Sequence, residues 1–325
     1  MRIGIYGYGN LGRGVELALS QNPDMTLTGI FTRRPKESIR LQKEVPVYQK
    51  SDLPHFIDRI DVLILCDGSA NDLPTVTPTL ARDFNVLDSF DTHADIPRHF
   101  AAVDEAAKAG GHIALISAGW DPGLFSLARL YAHATLPDGH AYTFWGRGVS
   151  QGHSDAIRGI EGVRDARQYT VPAPATVEAV KGGKAPVLSP TEMHRRECYV
   201  VAEEGADRER IEREIKEMPH YFAGYDTSVT FQTQEEFAAA HNGMPHGGAV
   251  ICNGRTGADG LHTQTLEFHL SLDSNPEFTG SVLLAYARAL HRMRARGVTG
   301  CQTVFDVAPA DLSPLSAEEL RRKML

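Results

Sequence analysis

Three glycines near the amino terminus have the spacing of a phosphate-binding turn. Gly7, Gly9 and Gly12 form G-x-G-x-x-G between an apolar stretch, Arg2–Tyr6, and a segment of helical spacing, Val15–Leu19. In such a strand–turn–helix unit the first glycine reverses the chain, the second admits a pyrophosphate, and the third lets helix and strand pack closely. The helix N-terminus adds unpaired N–H groups for the phosphates. The pattern predicts a dinucleotide site formed by Gly7, Tyr8, Gly9, Asn10, Leu11 and Gly12.

The residues after the second predicted strand indicate which dinucleotide would bind. NAD-binding chains usually carry an acid about twenty residues after the glycine turn, for the ribose 2′-OH. Here the strand predicted over Thr26–Phe31 ends instead in Thr32, Arg33 and Arg34. Guanidinium groups are planar, permanently charged donors that suit a phosphate. The sequence therefore favours NADP(H) over NAD(H), and the alternative is a solvated basic turn.

Three short apolar runs continue the strand–helix alternation. Asp61–Cys66, Asn85–Leu87 and His112–Ile116 are composed as expected for strands of a parallel sheet covered on both faces. Each is followed by small and polar residues, and right-handed connections place these loops at the edge of the sheet that carries the glycine turn. The first of the three loops adds predicted cofactor contacts at Cys66, Asp67, Ser69 and Ala70.

Two acids and the only two tryptophans lie close to predicted strand ends. Asp91 and Asp121 follow the second and third of these runs, Trp120 precedes Asp121, and Trp145 ends a short aromatic strand. Two carboxylates near a nicotinamide can hold an amine or take a proton, so Asp91 and Asp121 are candidate catalytic residues. The alternative for each acid is a turn former or a helix cap. The tryptophans either wall a pocket or belong to the core.

The second half of the chain has a different pattern. Strands are predicted at Tyr142–Trp145, Arg164–Val171, Glu197–Ala202 and Thr263–Leu272. The last of these alternates cleanly, so we expect it to be half-buried through the face that carries Leu266, Phe268, Leu270 and Leu272. Gly146–Gly152 is predicted to be a glycine-rich loop. Its G-x-S-x-G spacing also matches the nucleophile elbow of hydrolases, but a hydrolase would make no use of the dinucleotide turn.

Together the elements predict an α/β protein with two domains. Residues 1–120 form a Rossmann-type dinucleotide-binding domain, which helices of about 277–325 complete. Residues 121–276 form an α+β domain with a mostly antiparallel sheet. The helical segments predicted with most regular spacing are Arg98–Ala109, Asp207–Glu217 and Phe278–Arg296.

Composition limits the class of protein. The chain has 325 residues and a net charge of −8, which argues against nucleic acid as a partner. No apolar run approaches the roughly 20 residues of a membrane span, and a strand at the very start leaves no room for a signal peptide. The four cysteines form no C-x-x-C pair and the histidines no H-E-x-x-H, so we expect reduced thiols and no metal site. The prediction is a soluble cytoplasmic enzyme.

Longer motifs in order extend this pattern along most of the chain. They resemble those of the meso-diaminopimelate dehydrogenase family, and their length makes chance a poor explanation. The segments that carry the resemblance are GYGNLGRG (7–14), TRRP (32–35), SAGWDPGLFS (117–126), FWGRGVSQGHSDA (144–156), QYT (168–170), HRREC (194–198), GMPHGG (243–248) and SNPEF (274–278).

The resemblance implies a reaction and a site. The reaction is the reversible, NADP-dependent oxidative deamination of meso-2,6-diaminopimelate at its D-centre, which gives L-2-amino-6-oxopimelate (tetrahydrodipicolinate), ammonia and NADPH for diaminopimelate and lysine biosynthesis. The second domain is implied to supply the substrate pocket and the contact of a homodimer. The implied substrate-binding residues are Asp91, Trp120, Asp121, Trp145, Gln151, Gly152, Thr170, Arg196, His246 and Asn275. Arg195 stands next to Arg196 and is able to exchange roles with it.

Two other functions are compatible with the same architecture. One is a dehydrogenase or reductase acting on another amino-acid intermediate, such as homoserine or dihydrodipicolinate. The other is an NADPH-binding sensor without turnover. The sensor is disfavoured because the acids, the tryptophans and the arginine-bearing motif all match the catalytic family.

Overall fold

The computed structural model describes residues 1–42, 44–219 and 221–325, and the chain divides into two compact units. Unit 1 consists of Met1–Leu127 and Pro276–Leu325, and unit 2 of Ala128–Asn275. Within the described ranges, no helix is both long and apolar enough to cross a membrane.

Unit 1 contains a seven-stranded sheet in which every pair of neighbours is parallel. Its strands are β1 (Arg2–Tyr6), β2 (Thr26–Thr32), β3 (Val47–Gln49), β4 (Val62–Leu65), β5 (Val86–Asp88), β6 (Ile113–Leu115) and β14 (Gly300–Gln302). The order across the sheet is β14-β6-β5-β4-β1-β2-β3. The direction of winding therefore reverses between β1 and β4, which is the position where sheets of this kind bind dinucleotides.

Helices cover both faces of this sheet, as the apolar strands require. One core joins Ile3 and Ile5 of β1 to Leu283 and Leu290, and a second core on the other face includes Leu63 of β4. The helices of unit 1 are α1 (Asn10–Leu19), α2 (Leu73–Leu80), α3 (Ile96–Gly110), α11 (Pro309–Leu312) and α12 (Ala317–Met324), with most of α10 (Asn275–Ala295) and the start of α4 (Leu124–Thr135).

Unit 2 contains two smaller sheets. The four-stranded sheet has the order β11 (Thr227–Phe231), β10 (His194–Ala202), β9 (Val163–Pro172), β8 (Gly148–Val149), and only β10 and β11 are parallel. The three-stranded sheet is antiparallel, in the order β13 (His262–Leu272), β12 (His246–Thr256), β7 (His140–Trp145). The helices are α5 (Gln151–Arg158), α6 (Pro174–Lys181), α7 (Pro190–Met193), α8 (Arg208–Glu217) and α9 (Gln234–Ala240). The predicted fold class is confirmed.

Two local predictions are wrong. Gly146–Gly152 is not a continuous loop, because Gly148 and Val149 pair with β9 and α5 begins at Gln151. β13 is a strand as predicted, but its apolar face is buried only at one end: Leu272 is 7% exposed, whereas Leu266 and Phe268 keep 44% and 40% of their surface exposed. The alternating pattern of β13 therefore predicts a strand, but it does not predict how much of the apolar face a single chain buries.

Candidate active site

The glycine turn of unit 1 has the geometry that a pyrophosphate requires. Gly7 joins β1 to α1 with a φ of +91°, a conformation that side chains rarely adopt. A Cβ atom at Gly12 would overlap the carbonyl oxygen of Gly7, so the third glycine permits the close packing of helix and strand. A Cβ atom at Gly9 would meet no atom within 4 Å. The backbone is therefore open at Gly9, where a phosphate would approach, and a dinucleotide fits this turn.

The two arginines after β2 differ in their surroundings. Arg34 donates through its guanidinium to the carbonyl oxygen of Tyr8 in the glycine turn, and its backbone N–H donates to Thr32 Oγ1 at 3.2 Å. The Arg33 side chain is 70% exposed, and its nearest carboxylate is Asp72, at 3.8 Å. Both guanidinium groups thus lie at the carboxyl edge of the sheet, with Arg33 the more accessible to an anion.

A buried carboxylate behind the turn was not predicted. Glu16 of α1 is 6% exposed and accepts a hydrogen bond from the Tyr8 hydroxyl and another, of 3.0 Å, from the backbone N–H of Gln42. Burial and this carboxylate raise the pKa of the Tyr8 phenol. Glu16 therefore ties the segment that follows the arginines to the start of the first helix.

The loop after β4 lies directly beside the first glycine. A Cβ atom at Gly7 would overlap Oδ1 of Asp67, and the carboxylate of Asp67 forms an ion pair with Lys50. Cys66 is buried, which raises the pKa of its thiol. Ala70 is exposed at the tip of the loop. Cys66 and Asp67 thus lie next to the turn, whereas Lys50 carried no signal in the sequence.

Asp91 is held by a residue of the neighbouring loop. The hydroxyl of Ser69 donates to Oδ1 of Asp91 at 2.5 Å and accepts the Asp91 backbone N–H at 3.0 Å. Trp120 is 8% exposed and packs edge-on against Phe125, with ring centroids 5.3 Å apart. Asp121 follows it and is partly buried. Unit 1 therefore presents both acids and one tryptophan from the loops after β5 and β6.

Asp88, at the end of β5, fixes the two loops that carry these acids. Its Oδ1 accepts the backbone N–H groups of Phe90 at 3.1 Å and of Ser117 at 2.9 Å. Its Oδ2 accepts from the Thr77 hydroxyl at 2.8 Å and lies 2.7 Å from Nε2 of His99. The carboxylate is fully buried, so the network orders the loops from inside unit 1.

In unit 2, two of the predicted substrate residues are neighbours in one row of the four-stranded sheet, and a third lies beside that row. Arg196 is paired with Thr170, and Thr170 with Gly148. The guanidinium of Arg196 donates to the Thr170 hydroxyl. The imidazole of His246 lies against Gly148, where a Cβ atom would clash with the ring. The structure therefore brings Thr170, Arg196 and His246 together.

The neighbouring arginines of β10 point to opposite faces. Arg196 is 9% exposed, its guanidinium carbon lies 4.2 Å from the centroid of the Tyr225 ring, and burial lowers its pKa. Arg195 is exposed and pairs with Glu197 at 3.2 Å. Of the two, only Arg196 shares a face with Thr170 and donates to its hydroxyl.

Trp145 is positioned by a histidine that was not predicted. Nε2 of His194 accepts the backbone N–H of Trp145 at 2.9 Å, and the two rings stack with centroids 5.3 Å apart. Burial and the charge of Arg196 lower the pKa of His194 to about 4. The imidazole is therefore neutral at physiological pH, and it fixes both the backbone and the ring of Trp145.

Two of the remaining predicted residues, Gln151 and Asn275, meet at the loop before β12. Nε2 of Gln151 lies 3.9 Å from Sδ of Met244, and the backbone N–H of Asn275 donates to the Met244 carbonyl at 3.0 Å. Gly152 is exposed at the start of α5 and has open space around it. This loop, which continues into His246, connects these residues to the row around Arg196.

A serine and a histidine make contact at the start of α5. Ser150 Oγ and His153 Nδ1 are 2.7 Å apart, three residues along the chain. Burial and the nearby Arg196 lower the pKa of His153 to about 4.

Across residues 1–42, 44–219 and 221–325, no group of three or more His, Cys, Asp or Glu side chains has an arrangement that would hold a metal ion.

The two units offer complementary chemistry. Unit 1 has an open glycine turn with guanidiniums for phosphates and two acids for a cationic group. Unit 2 has a buried guanidinium, a hydroxyl and an imidazole, which suit a carboxylate. Unit 1 therefore suits phosphates and a cationic group, and unit 2 suits a carboxylate.

Known proteins are similar to this chain along its whole length. A family profile described as the diaminopimelic acid dehydrogenase C-terminal domain matches residues 119–274. The meso-diaminopimelate D-dehydrogenase of Acetivibrio thermocellus is 55% identical, over 100% of this chain and 98% of its own.

Solved structures agree with the sequence comparison. The C. glutamicum DAP dehydrogenase in complex with DAP superposes with a TM-score of 0.90 at 46% identity and covers 100% of this chain and 99% of its own. An engineered D-amino acid dehydrogenase bound to NADP+ superposes with a TM-score of 0.86 at 45% identity, with the same coverage.

Proposed function

The chain belongs to the meso-diaminopimelate dehydrogenase family, amino-acid dehydrogenases that act on a CH–NH2 group, and we propose the details of its reaction from that premise. The substrate is meso-2,6-diaminopimelate, which is deaminated oxidatively and reversibly at its D-centre. The products are L-2-amino-6-oxopimelate, which cyclises to tetrahydrodipicolinate, together with ammonia and NADPH. The observation that carries this proposal is the buried Arg196–Thr170 pair beside His246, because it suits a second carboxylate that simple amino acids lack.

Each group of residues has a distinct part in the proposal. Arg196, Thr170 and His246 bind the distal carboxylate by charge-assisted hydrogen bonds. Trp145 covers the methylenes. The other substrate-binding residues are Gln151, Gly152, Asn275 and Trp120. Gripping the distal L-centre in this way leaves one Cα–H, that of the D-centre, free to react, which is a positioning effect.

The acids of unit 1 act at the reacting amine. Asp91 and Asp121 hold the ammonium group, and one of the two takes its proton as the imine forms. Ser69 orients Asp91 through two hydrogen bonds. NADP+, when bound, supplies the acceptor for the hydride that leaves the D-centre. Water then adds to the imine carbon, and ammonia leaves.

The cofactor in this proposal is NADP(H), bound at the glycine turn and read by Arg33 and Arg34. The accessible guanidinium of Arg33 and the relative bound to NADP+ support this choice. Replacing Arg33 by alanine and Arg34 by aspartate should weaken the binding of NADP+ by about 100-fold and the binding of NAD+ by far less. Calorimetry with both dinucleotides measures this, and equal losses would contradict the assignment.

The substrate assignment has a matched pair of variants on one strand. Arg196→Met should raise KM for meso-diaminopimelate by about 100-fold, because charge-assisted bonds to the carboxylate are lost. Arg195→Met removes the adjacent exposed guanidinium, and its KM should stay within about two-fold. The assay follows NADPH and ammonia, with the L,L isomer as a negative control. Turnover of homoserine but not of meso-diaminopimelate would favour another dehydrogenase of this architecture.

The setting of the reaction completes the proposal. We expect a cytoplasmic homodimer that contacts its partner through the second domain and works in diaminopimelate and lysine biosynthesis. The exposed apolar side chains of β13 support the dimer, since contiguous apolar surface on one sheet face often marks a protein contact.

A further inference from the structure

A buried ion pair beside the glycine turn has no part in the reaction proposed above. The ammonium group of Lys50 pairs with the carboxylate of Asp67, and their side chains are only 14% and 8% exposed. Nζ of Lys50 also lies 4.1 Å from the centroid of the Tyr6 ring. A desolvated lysine held by a carboxylate and an aromatic face at the end of β1 is a built feature of unit 1.

The pair lies beside the first glycine of the turn that would receive the dinucleotide phosphates. Asp67 follows β4, and the preceding residue, Cys66, donates its backbone N–H to the Tyr6 carbonyl at 2.7 Å. A Cβ atom at Gly7 would overlap Oδ1 of Asp67. The carboxylate therefore stands against the first glycine, at the reversal of strand order between β1 and β4.

A negative charge at this position would oppose the cofactor. Interactions between charges are strong in partly buried sites because solvent screens them poorly. An unpaired Asp67 would repel the pyrophosphate of either dinucleotide. In NADP+ it would also repel the additional phosphate, so NADP+ would lose more affinity than NAD+. A neighbouring carboxylate, Asp72, lies 3.8 Å from the Arg33 guanidinium, whereas Asp67 is neutralised by Lys50.

We propose that Lys50 is a specificity-determining residue of the cofactor site, which neutralises Asp67 so that a dinucleotide with an additional phosphate binds at the glycine turn. The inference rests on the proposed use of NADP(H). It adds a residue that contacts Asp67 and not the substrate, and it assigns Lys50 an electrostatic role beyond packing.

A charge-compensation cycle tests this role. Lys50→Met should weaken NADP+ binding by about ten-fold or more and NAD+ binding by less, because the retained carboxylate faces one more phosphate in NADP+. Asp67→Asn alone should bind NADP+ at least as tightly as the original protein. The double variant Lys50→Met/Asp67→Asn should recover most of the lost affinity. Calorimetry with NADP+ and NAD+ measures all four proteins.

Controls separate charge from folding. Lys108→Met removes another ion-paired lysine of unit 1, bonded to Asp104 at 2.7 Å in the last turn of α3, and should leave NADP+ affinity within about two-fold. Thermal unfolding without cofactor identifies any variant that fails to fold, and Lys50→Arg then serves as the charge-retaining comparison.

Two results with the Asp67 variants would overturn the inference. One is a double variant that binds no more tightly than Lys50→Met, and the other is an Asp67→Asn variant that loses as much affinity as Lys50→Met. Failure of the original protein to bind NADP+ would instead reject the proposed function. If the original protein binds NADP+ and turns over normally, and Lys50→Met binds NADP+ with unchanged affinity, only the role of Lys50 is rejected.

Discussion

Asp88 shows how one buried side chain can order two loops of the site. Replacing it with alanine leaves two backbone N–H groups, a hydroxyl and an imidazole without their acceptor inside unit 1. Unsatisfied buried groups cost about 1–3 kcal/mol each and are not additive, so we expect Asp88→Ala to lower the free energy of unfolding by about 4 kcal/mol. Urea denaturation measures this. Asp95→Ala, which removes an exposed carboxylate paired with Arg98, should cost under about 1 kcal/mol, and similar losses in the two variants would refute the role of Asp88.

His194 should make stability depend on pH. Its pKa is about 4 in the folded protein because it is buried near Arg196, and the unfolded chain binds the proton from pH 6.5 downward. The contribution of His194 to the free energy of unfolding is therefore fully present above pH 6.5. It decreases by about 3 kcal/mol as the pH falls through 4. His194→Gln keeps an acceptor for the Trp145 N–H but has no such titration. The difference in unfolding free energy between the two proteins should shrink from pH 7 to pH 4, and a constant difference would contradict this account.

Single residues were predictable from sequence where a local rule applied. Arg196 and Arg195 lie on opposite faces because successive residues of a strand alternate. Lys50 and Asp88 carried no signal, because their importance comes from partners that are 17 and 29 residues away in the chain. Buried polar networks depend on tertiary neighbours, which spacing along one chain does not reveal.

At the scale of elements, the glycine turn offers two contrasting substitutions. In Gly9→Ala the new methyl group enters open space, so the free energy of unfolding should change by less than about 1 kcal/mol. The same methyl group stands where the pyrophosphate approaches, so NADP+ binding should weaken by more than about ten-fold. Gly12→Ala overlaps the Gly7 carbonyl and should cost about 2 kcal/mol of stability or more. Denaturation and calorimetry on both variants separate these effects. A Gly9→Ala variant with full NADP+ affinity would show that the phosphates do not approach there.

Elements with regular periodicity were predicted well, and short ones were not. The strand predicted at Arg2–Tyr6 is confirmed residue for residue, because a buried strand and a glycine turn define both its ends. β8 has two residues and β14 three, which is too short for a period to show. β14 also joins the sheet beside β6 from the far end of the chain, a pairing that only tertiary contacts specify.

At the scale of the whole molecule, β13 provides the test of assembly. Its Leu266 and Phe268 are 44% and 40% exposed in the single chain. Phe268→Glu would place a charge within this surface and should convert the proposed homodimer to monomers, because burying an unpaired charge is costly. Sedimentation velocity measures the mass. Met324→Glu, at an exposed site of α12 in unit 1, should remain dimeric, and a dimeric Phe268→Glu variant would exclude this face of β13 from the interface.

The central claim is that hydride leaves one particular carbon of a substrate held by its other end. The most direct measurement uses meso-diaminopimelate with deuterium at the D-centre Cα or, separately, at the L-centre Cα. The account predicts that NADPH formed from the first substrate carries deuterium, with slower turnover, and that NADPH formed from the second carries none. Deuterium in NADPH from the L-labelled substrate, or reduced cofactor without label from the D-labelled one, would contradict it.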